Sequence, residues 1–416
     1  MEQAYRSVVD SIYDLQRFRG SLSLDPVEDL MAELGHPEDE VPVVHVAGTN
    51  GKGSTATMLA RVLEAAGYRT GLFTSPHLVD FRERIQVDGE HIPQEQVVER
   101  YRAVAEADVD ASFFEAMTAM ALDHFAQQDV DIAVVETGMG GRLDATNVVD
   151  PVLSVVTNVA REHTTVLGET PEQIAYEIAG VVKEAPVVSG ATGQPGEVVA
   201  AVAAENGAPL HPVDDRVAVV DDDRMALTVA VDGRQVETGL VGRYQVDNID
   251  TVLAAVDTLP MDVSDQAVYT ALSDAAVPGR MEPVSNDPLV LLDGAHNPAA
   301  VDRLPQTLDA LDRERTIAVV STMADKEYGE MLSTIETFAD TVILSEAEID
   351  RAAYPDELVA CIDAVDCEVM PSIPDALSTA HGIAAEDDTV LVTGSLYFVG
   401  DVKTEIGSAP VSGDGT

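Results

Sequence analysis

Short, nearly unbroken apolar runs recur along the first part of the chain, at residues 41–47, 70–73, 132–136 and 152–157, separated by stretches long enough for helices. Runs that are apolar at successive positions, rather than at alternate ones, predict strands buried on both faces of a parallel sheet. The stretch after the first run carries Leu59, Val62 and Leu63 at helical spacing, with Gly67 placed to end the helix. Between residues 217 and 241 the pattern changes to alternating apolar and polar positions around Asp232-Gly233, which predicts a small antiparallel insertion.

A second series of buried runs, at 289–292, 316–320, 341–344 and 389–392, begins after Val277-Pro278-Gly279-Arg280. The expected fold class is therefore α/β in two domains. Residues 1–282 form a first domain with a parallel sheet and the antiparallel insertion, and residues 283–406 form a Rossmann-like second domain. Residues 407–416, rich in Gly, Ser, Pro and Asp, read as a flexible tail.

A chain of 416 residues is too long for one comfortable core, and its 46% hydrophobic content suffices for two. The 74 acidic against 24 basic side chains give a formal charge of −50. Such a surface repels nucleic-acid phosphates, so that class of partner is excluded. The acids are scattered among periodic apolar segments, which argues against a disordered acidic tail and for a hydrated surface of the halophilic kind, screened by salt. Cys361 and Cys367 match neither a metal knuckle nor a disulfide framework and read as packing residues of a reduced, cytoplasmic protein. No apolar run reaches membrane-spanning length, and Met1-Glu2-Gln3-Ala4-Tyr5 does not begin a leader, so no membrane partner is expected.

Candidate chemistry starts where the first apolar run breaks into Gly48-Thr49-Asn50-Gly51-Lys52-Gly53-Ser54 and then a helix. Glycines allow backbone N–H groups to turn towards anionic oxygens, Lys52 adds charge, and the Ser54 hydroxyl is a ligand for Mg²⁺, so a nucleoside triphosphate is the expected occupant. Glu136 ends the run at 132–136 and is followed by a glycine-dense loop, where a carboxylate is placed either to hold Mg²⁺ or simply to be solvated. His163 follows the run at 152–157, as a metal or phosphate contact or an ordinary loop histidine. Asp293 and His296, in Asp293-Gly294-Ala295-His296-Asn297-Pro298, should face a cleft between the domains. Gly400 and Asp401 read as a further glycine loop or a plain turn. No serine-hydrolase elbow, His-Glu-x-x-His or Cys-x-x-Cys is present, leaving phosphoryl transfer as the expected chemistry.

These segments, with Thr74-Ser75-Pro76-His77-Leu78, Phe113-Phe114-Glu115-Ala116-Met117-Thr118-Ala119, the loop from Glu136 to Asn147 and Thr393-Gly394-Ser395-Leu396-Tyr397, resemble the folylpolyglutamate synthase and dihydrofolate synthase family of the Mur ligase superfamily, in family order across nearly the whole chain. The resemblance implies an ATP-dependent amide ligase joining L-glutamate to dihydropteroate, a reduced folate, or both, through an acyl phosphate. It implies a P-loop ATPase domain followed by the Rossmann-like ligase domain, ATP and one or two Mg²⁺ as cofactors with a monovalent cation as an optional third, and a monomer. Residue by residue, Lys52 resembles the phosphate-binding lysine, Ser54 and Glu136 the ligands of the first Mg²⁺, and His163 a ligand of the second. Asn248 resembles the residue at the adenine end of ATP, and Arg280 and Asp293 those reaching the nucleotide from the second domain, with His296 in the same motif. Ser75, Pro76, His77, Phe113 and Phe114 resemble the lining of the pterin pocket, where either phenylalanine is a stacking partner or a core residue.

One departure stands out. Many bacterial members have a carbamylated lysine beside the second metal, in Glu-Lys-Ala-Gly, where this chain has Glu177-Ile178-Ala179-Gly180, leaving Glu177, Lys183 or another group to substitute. Arg161 is a smaller departure beside the histidine. A ligase acting on a cell-wall precursor and a non-catalytic ATP-binding regulator are the competing readings. The 416 residues leave no room for an additional fused barrel of about 250 residues.

Overall fold

Residues 1–15, 23–222, 226–311 and 313–408 are described in the computed structural model of the chain. The first sheet is built from β1 (Val43–Ala47), β2 (Thr70–Phe73), β3 (Ile85–Val87), β4 (Glu90–His91), β5 (Ile132–Glu136), β6 (Leu153–Val156), β7 (Val187–Ser189) and β8 (Leu210–Pro212). Their order is β4-β3-β2-β5-β1-β6-β7-β8, parallel from β2 to β8, with β3 and β4 as an antiparallel edge. Every residue of β1 is buried, because its two faces belong to different cores. Val44 and Val46 meet Leu59, Val62 and Leu63 of the helix Lys52–Ala65, while Val43 joins Ile12, Met117 and Phe125 on the other side. Burial on both faces is what erases the alternation expected of a half-exposed strand.

The register of this sheet builds the site. Val46 lies opposite Glu136 on β5 and Ala47 opposite Val156 on β6, so the loops leaving the C-terminal ends of three adjacent strands converge. Ligands of open α/β sheets bind at this edge.

β9 (Val217–Asp222), β10 (Leu227–Val231) and β11 (Arg234–Glu237) form the antiparallel insertion. Asp232 and Gly233, at φ of 49° and 84°, supply the left-handed pair that a two-residue hairpin turn requires. The second sheet contains β12 (Glu282–Asn286), β13 (Leu289–Leu292), β14 (Thr316–Val320), β15 (Thr341–Leu344), β16 (Asp366–Val369) and β17 (Thr389–Thr393) in the order β12-β13-β17-β14-β15-β16. It is parallel apart from the edge strand β12. Cys361 and Cys367 are free thiols packed, half-buried, against this domain's core.

Two expectations are corrected here. Gly400 and Asp401 are not in a loop but inside the helix Leu396–Ser408. A Cβ on Gly400 would lie 2.0 Å from the Leu78 carbonyl oxygen, so the glycine serves a close approach between domains. The same helix takes in Gly407 and Ser408 from the expected tail, whose remainder, 409–416, lies outside the described residues.

Candidate active site

A cleft of about 1100 Å³ runs between the two sheets and is lined by residues of both domains. At its centre Gly48 to Gly51 connect β1 to the helix starting at Lys52. Gly51 has φ of 79° and faces Asn248, whose Oδ1 would lie 2.2 Å from any Cβ, so only glycine fits. The loop is stitched to the segment after β6. Thr49 N–H donates to Asn158 O (2.9 Å), Asn50 N–H donates to Asn158 Oδ1 (3.0 Å), and Asn158 Nδ2 and Thr157 Oγ1 donate to Asn50 O. Lys52 Nζ curls back to donate to Gly48 O (3.0 Å) and Thr49 O (3.2 Å). The Asn248 carboxamide, anchored by Gln245, thus lies against the phosphate loop.

Glu136 is buried beside Gly53, and its Oε2 accepts the Ser75 N–H at 2.8 Å. Burial pushes its carboxyl upward, against the pull of Lys52, the Ser75 amide, Arg280 and Arg84. A hydroxyl and a carboxylate at one phosphate loop are the hard oxygen donors that suit Mg²⁺, so the residues present fit a first divalent ion.

His163 caps the short helix Thr164–Leu167 at φ of 50°, a left-handed conformation that costs a side chain of its size about 1 kcal/mol. Burial, and then the Lys326 charge, lower its imidazole to about 4, so it is a neutral donor near pH 7. Beside it sits the buried Glu162, which sequence reasoning missed. Its Oε1 accepts Lys326 Nζ at 2.9 Å and lies 3.3 Å from His296 Nε2 and 3.8 Å from His163 Nε2. Burial opposes ionisation of Glu162, but the His296 contact and the Lys326 charge together hold it well below the usual carboxylate range.

The second domain closes the cleft. Asp293 Oδ2 accepts Tyr244 Oη and Met281 N–H, and its Oδ1 accepts Ala295 N–H, so its two oxygens orient the loop that carries His296. Burial raises the carboxyl of Asp293, opposed first by Arg280. Asn297 caps the following helix through Ala300 N–H and donates its Nδ2 to Asn50 Oδ1 (2.9 Å), tying the phosphate loop to the second domain.

At the other end the cleft is aromatic. Tyr13 stacks on Phe113 with centroids 5.7 Å apart and 12° between the planes, and its hydroxyl meets His77 Nε2 at 3.1 Å. Arg84 Nε donates to His77 Nδ1 at 2.7 Å, with the guanidinium over the Phe113 ring. Burial and Arg84 drive His77 down to about 3. Phe114 instead sits under Gly138 and packs on Phe73 at 5.8 Å, half wall and half core. Ser75 and Pro76 line the same cleft. Tyr13 carried no sequence signal, lying on an ordinary amphipathic helix. Arg84 and Lys326 are scarce cations in so acidic a chain, but the sequence alone ties neither to the cleft.

Ile178 is 1% exposed and joins Leu167, Ile174 and Val181 in an apolar cluster that borders the cleft. Neither suggested substitute reaches it. Glu177 is held by Arg142 at 2.8 Å, and Lys183 donates to the carbonyls of Asn147 and Val149 in a separate pocket.

Known proteins share this two-domain fold. The Mur ligase middle domain matches residues 46–256, and the Mur ligase glutamate ligase domain residues 279–396. The dihydrofolate synthase/folylpolyglutamate synthase of Bacillus subtilis is 34% identical over 430 residues, covering 98% of this chain and 100% of that one. A probable bifunctional folylpolyglutamate synthase/dihydropteroate synthase of Haloferax volcanii is 38% identical over 424 residues, 96% of this chain but 50% of that protein, so the chain spans about half its length. The structure of Escherichia coli FolC in complex with DHPP and ADP superposes with a TM-score of 0.89 at 33% identity, covering 97% of this chain and 98% of that one. The chain belongs to the folylpolyglutamate synthase and dihydrofolate synthase family of Mur ligases.

Proposed function

We propose that the chain joins L-glutamate to dihydropteroate, to reduced folate (poly)glutamates, or to both, at the expense of ATP. One observation carries this reading: a phosphate loop, a buried carboxylate and Arg280, His296 and Lys326 of the second domain meet in one cleft that ends in an aromatic pocket. The acceptor's free carboxylate, that of the pteroate or of a folate's terminal glutamate, attacks the γ-phosphorus, the bond to the ADP oxygen breaks, and an acyl phosphate forms. The glutamate amine then attacks the acyl carbon, its proton leaves to a base, and phosphate departs with the C–O electron pair.

Lys52 and the loop amides hold the nucleotide phosphates and offset their charge. Ser54 and Glu136 would hold Mg²⁺, which neutralises phosphate charge when bound. Arg280, Asp293 and Asn248 frame the nucleotide, His296 and His163 face the transferred group, and Ser75, Pro76, His77, Phe113 and Phe114 line the pterin site together with Tyr13 and Arg84. His77, held neutral by burial and then by Arg84, keeps that pocket free of a second full charge. The protein acts as a monomer in concentrated salt, which screens its −50 charge.

The test is ADP release in concentrated KCl with Mg²⁺, L-glutamate and either dihydropteroate or tetrahydrofolate, with the product followed by mass. Turnover with dihydropteroate alone makes it a dihydrofolate synthase, with tetrahydrofolate alone a folylpolyglutamate synthase, and with both bifunctional. Tight ATP binding with no product from either acceptor refutes the assignment.

A further inference from the structure

The second domain builds a crevice of its own. β17, β14 and β15 lie side by side and parallel, so the loops leaving their C-terminal ends meet, as they do in the first sheet. The loops after β14 and β15 are zipped together: Ala353 N–H donates to Thr322 O (2.8 Å) and Ala324 N–H to Arg351 O (3.0 Å). β17 is followed by Ser395 and by Tyr397, which lies in the first turn of the helix Leu396–Ser408. The Arg351 guanidinium sits over the Tyr397 ring, 5.1 Å from its centroid, and both residues line the cleft.

Arg351 differs from the other cations of this wall. Lys326 is paired with Glu162 at 2.9 Å, Arg303 with Asp247 at 3.5 Å, and Arg280 is set against the buried Asp293. Arg351 is exposed, and its one side-chain partner among the described residues is the Tyr397 ring. In a chain with 74 acidic and 24 basic side chains, a cleft cation without a carboxylate partner is an exception. Asp325, Glu348 and Asp401 line the same cleft, so an anion entering here is repelled unless a cation receives it. The Arg351 side chain touches nothing in the first domain, where the phosphate loop lies, so it is set back from the nucleotide and faces the co-substrate.

We propose that Arg351 takes the side-chain carboxylate of the incoming amino acid and so selects L-glutamate. A planar guanidinium resting on a ring offers its N–H edge to a carboxylate in bidentate fashion. The carboxylate next to the amine must stay near the acyl carbon that the amine attacks, which leaves the distal one to reach the set-back Arg351.

This inference rests on the glutamate-ligase reading, and one set of assays separates the two failures. The full chain, in concentrated KCl with Mg²⁺, ATP and whichever of dihydropteroate or tetrahydrofolate it accepts, is assayed at varied L-glutamate, with L-glutamine as competitor. Arg351→Met is expected to raise the KM for L-glutamate about 10- to 100-fold while the KM for ATP stays within about twofold, with Arg351→Lys, which keeps the charge but not the fork, falling between. L-Glutamine keeps the carboxylate beside the amine and lacks the distal charge, so it should compete poorly with the parent. The ratio of its inhibition constant to the glutamate KM is expected to drop at least about tenfold in Arg351→Met. A glutamate KM within about twofold of the parent, or a raised KM with that ratio unchanged, overturns the role given to Arg351. A parent chain that binds ATP but releases ADP with neither acceptor overturns the ligase reading, and this inference with it.

Discussion

Replacing Gly400 by alanine tests whether the two domains must touch as closely as they do. The added Cβ would meet the Leu78 carbonyl oxygen at 2.0 Å and its carbon at 2.9 Å, so the helix Leu396–Ser408 has to retreat by about 1 Å. The obstacle is backbone, which has no rotamer to give way. Overpacking of this kind costs about 1–3 kcal/mol, and the interface between domains is the softest place to relieve it. A closed form disfavoured by that amount is about 5- to 150-fold less populated. Within the helix the change is favourable, because alanine is a better helix former than glycine by about 1 kcal/mol. Gly400→Ala should therefore lower kcat/KM for glutamate-dependent ADP release by at least fivefold, while the melting temperature holds or rises. A variant with kcat/KM within about twofold of the parent would refute the reasoning, and a collapsed melting temperature would show that the strain is absorbed inside a domain.

Lys52→Ala should cut ligation by at least about 100-fold with an unchanged circular dichroism spectrum, since a charge-stabilising donor is lost without any loss of core; near-normal turnover would overturn the phosphate-loop assignment. His45 is fully buried in β1, and burial followed by the Lys183 charge lowers it to about 3. Between that value and 6.5 the unfolded chain binds the extra proton, so the stability tied to this group is complete above pH 6.5 and is lost as the pH falls towards 3, by up to about 1.4 kcal/mol per unit. Urea midpoints against pH should fall more steeply for the parent than for His45→Gln, and parallel curves would contradict this. Raising KCl from dilute to about 1 M shortens the screening length to about 3 Å, so the melting temperature should climb with salt, and a compact, active protein at low ionic strength would rule out the halophilic reading.

The strands that carry the chemistry were legible because they are buried on both faces. Val44 and Val46 serve one core and Val43 another, which leaves a run apolar at successive positions but for His45, as a central strand produces. Edge strands were not legible: β8 is exposed throughout, β4 has two residues, and β16 shows no buried position. Motif glycines and the acid closing β5 could be placed because local backbone demands and strand ends fix them in sequence. Glu162, Lys326 and Tyr13 could not, because each acquires its meaning from a partner more than 60 residues away. Gly400 misled for a related reason: its missing side chain answers a neighbour in the other domain, whereas a local pattern reads it as a turn.

Residues 75–78 touch three things at once. The Ser75 amide holds the Glu136 carboxylate, the His77 ring belongs to the Tyr13 and Phe113 pocket, and Leu78 abuts Gly279 and Gly400 at the domain contact. A segment this short has few internal degrees of freedom, so shifts at one of its contacts are felt at the others. Linkage is then reciprocal: whatever factor by which a bound pteridine tightens the grip of the second domain, closing that domain must tighten the grip on the pteridine by the same factor. The expected signature is an ordered preference among ligands, in which the aromatic acceptor binds weakly to the protein alone and more strongly once nucleotide has drawn the halves together.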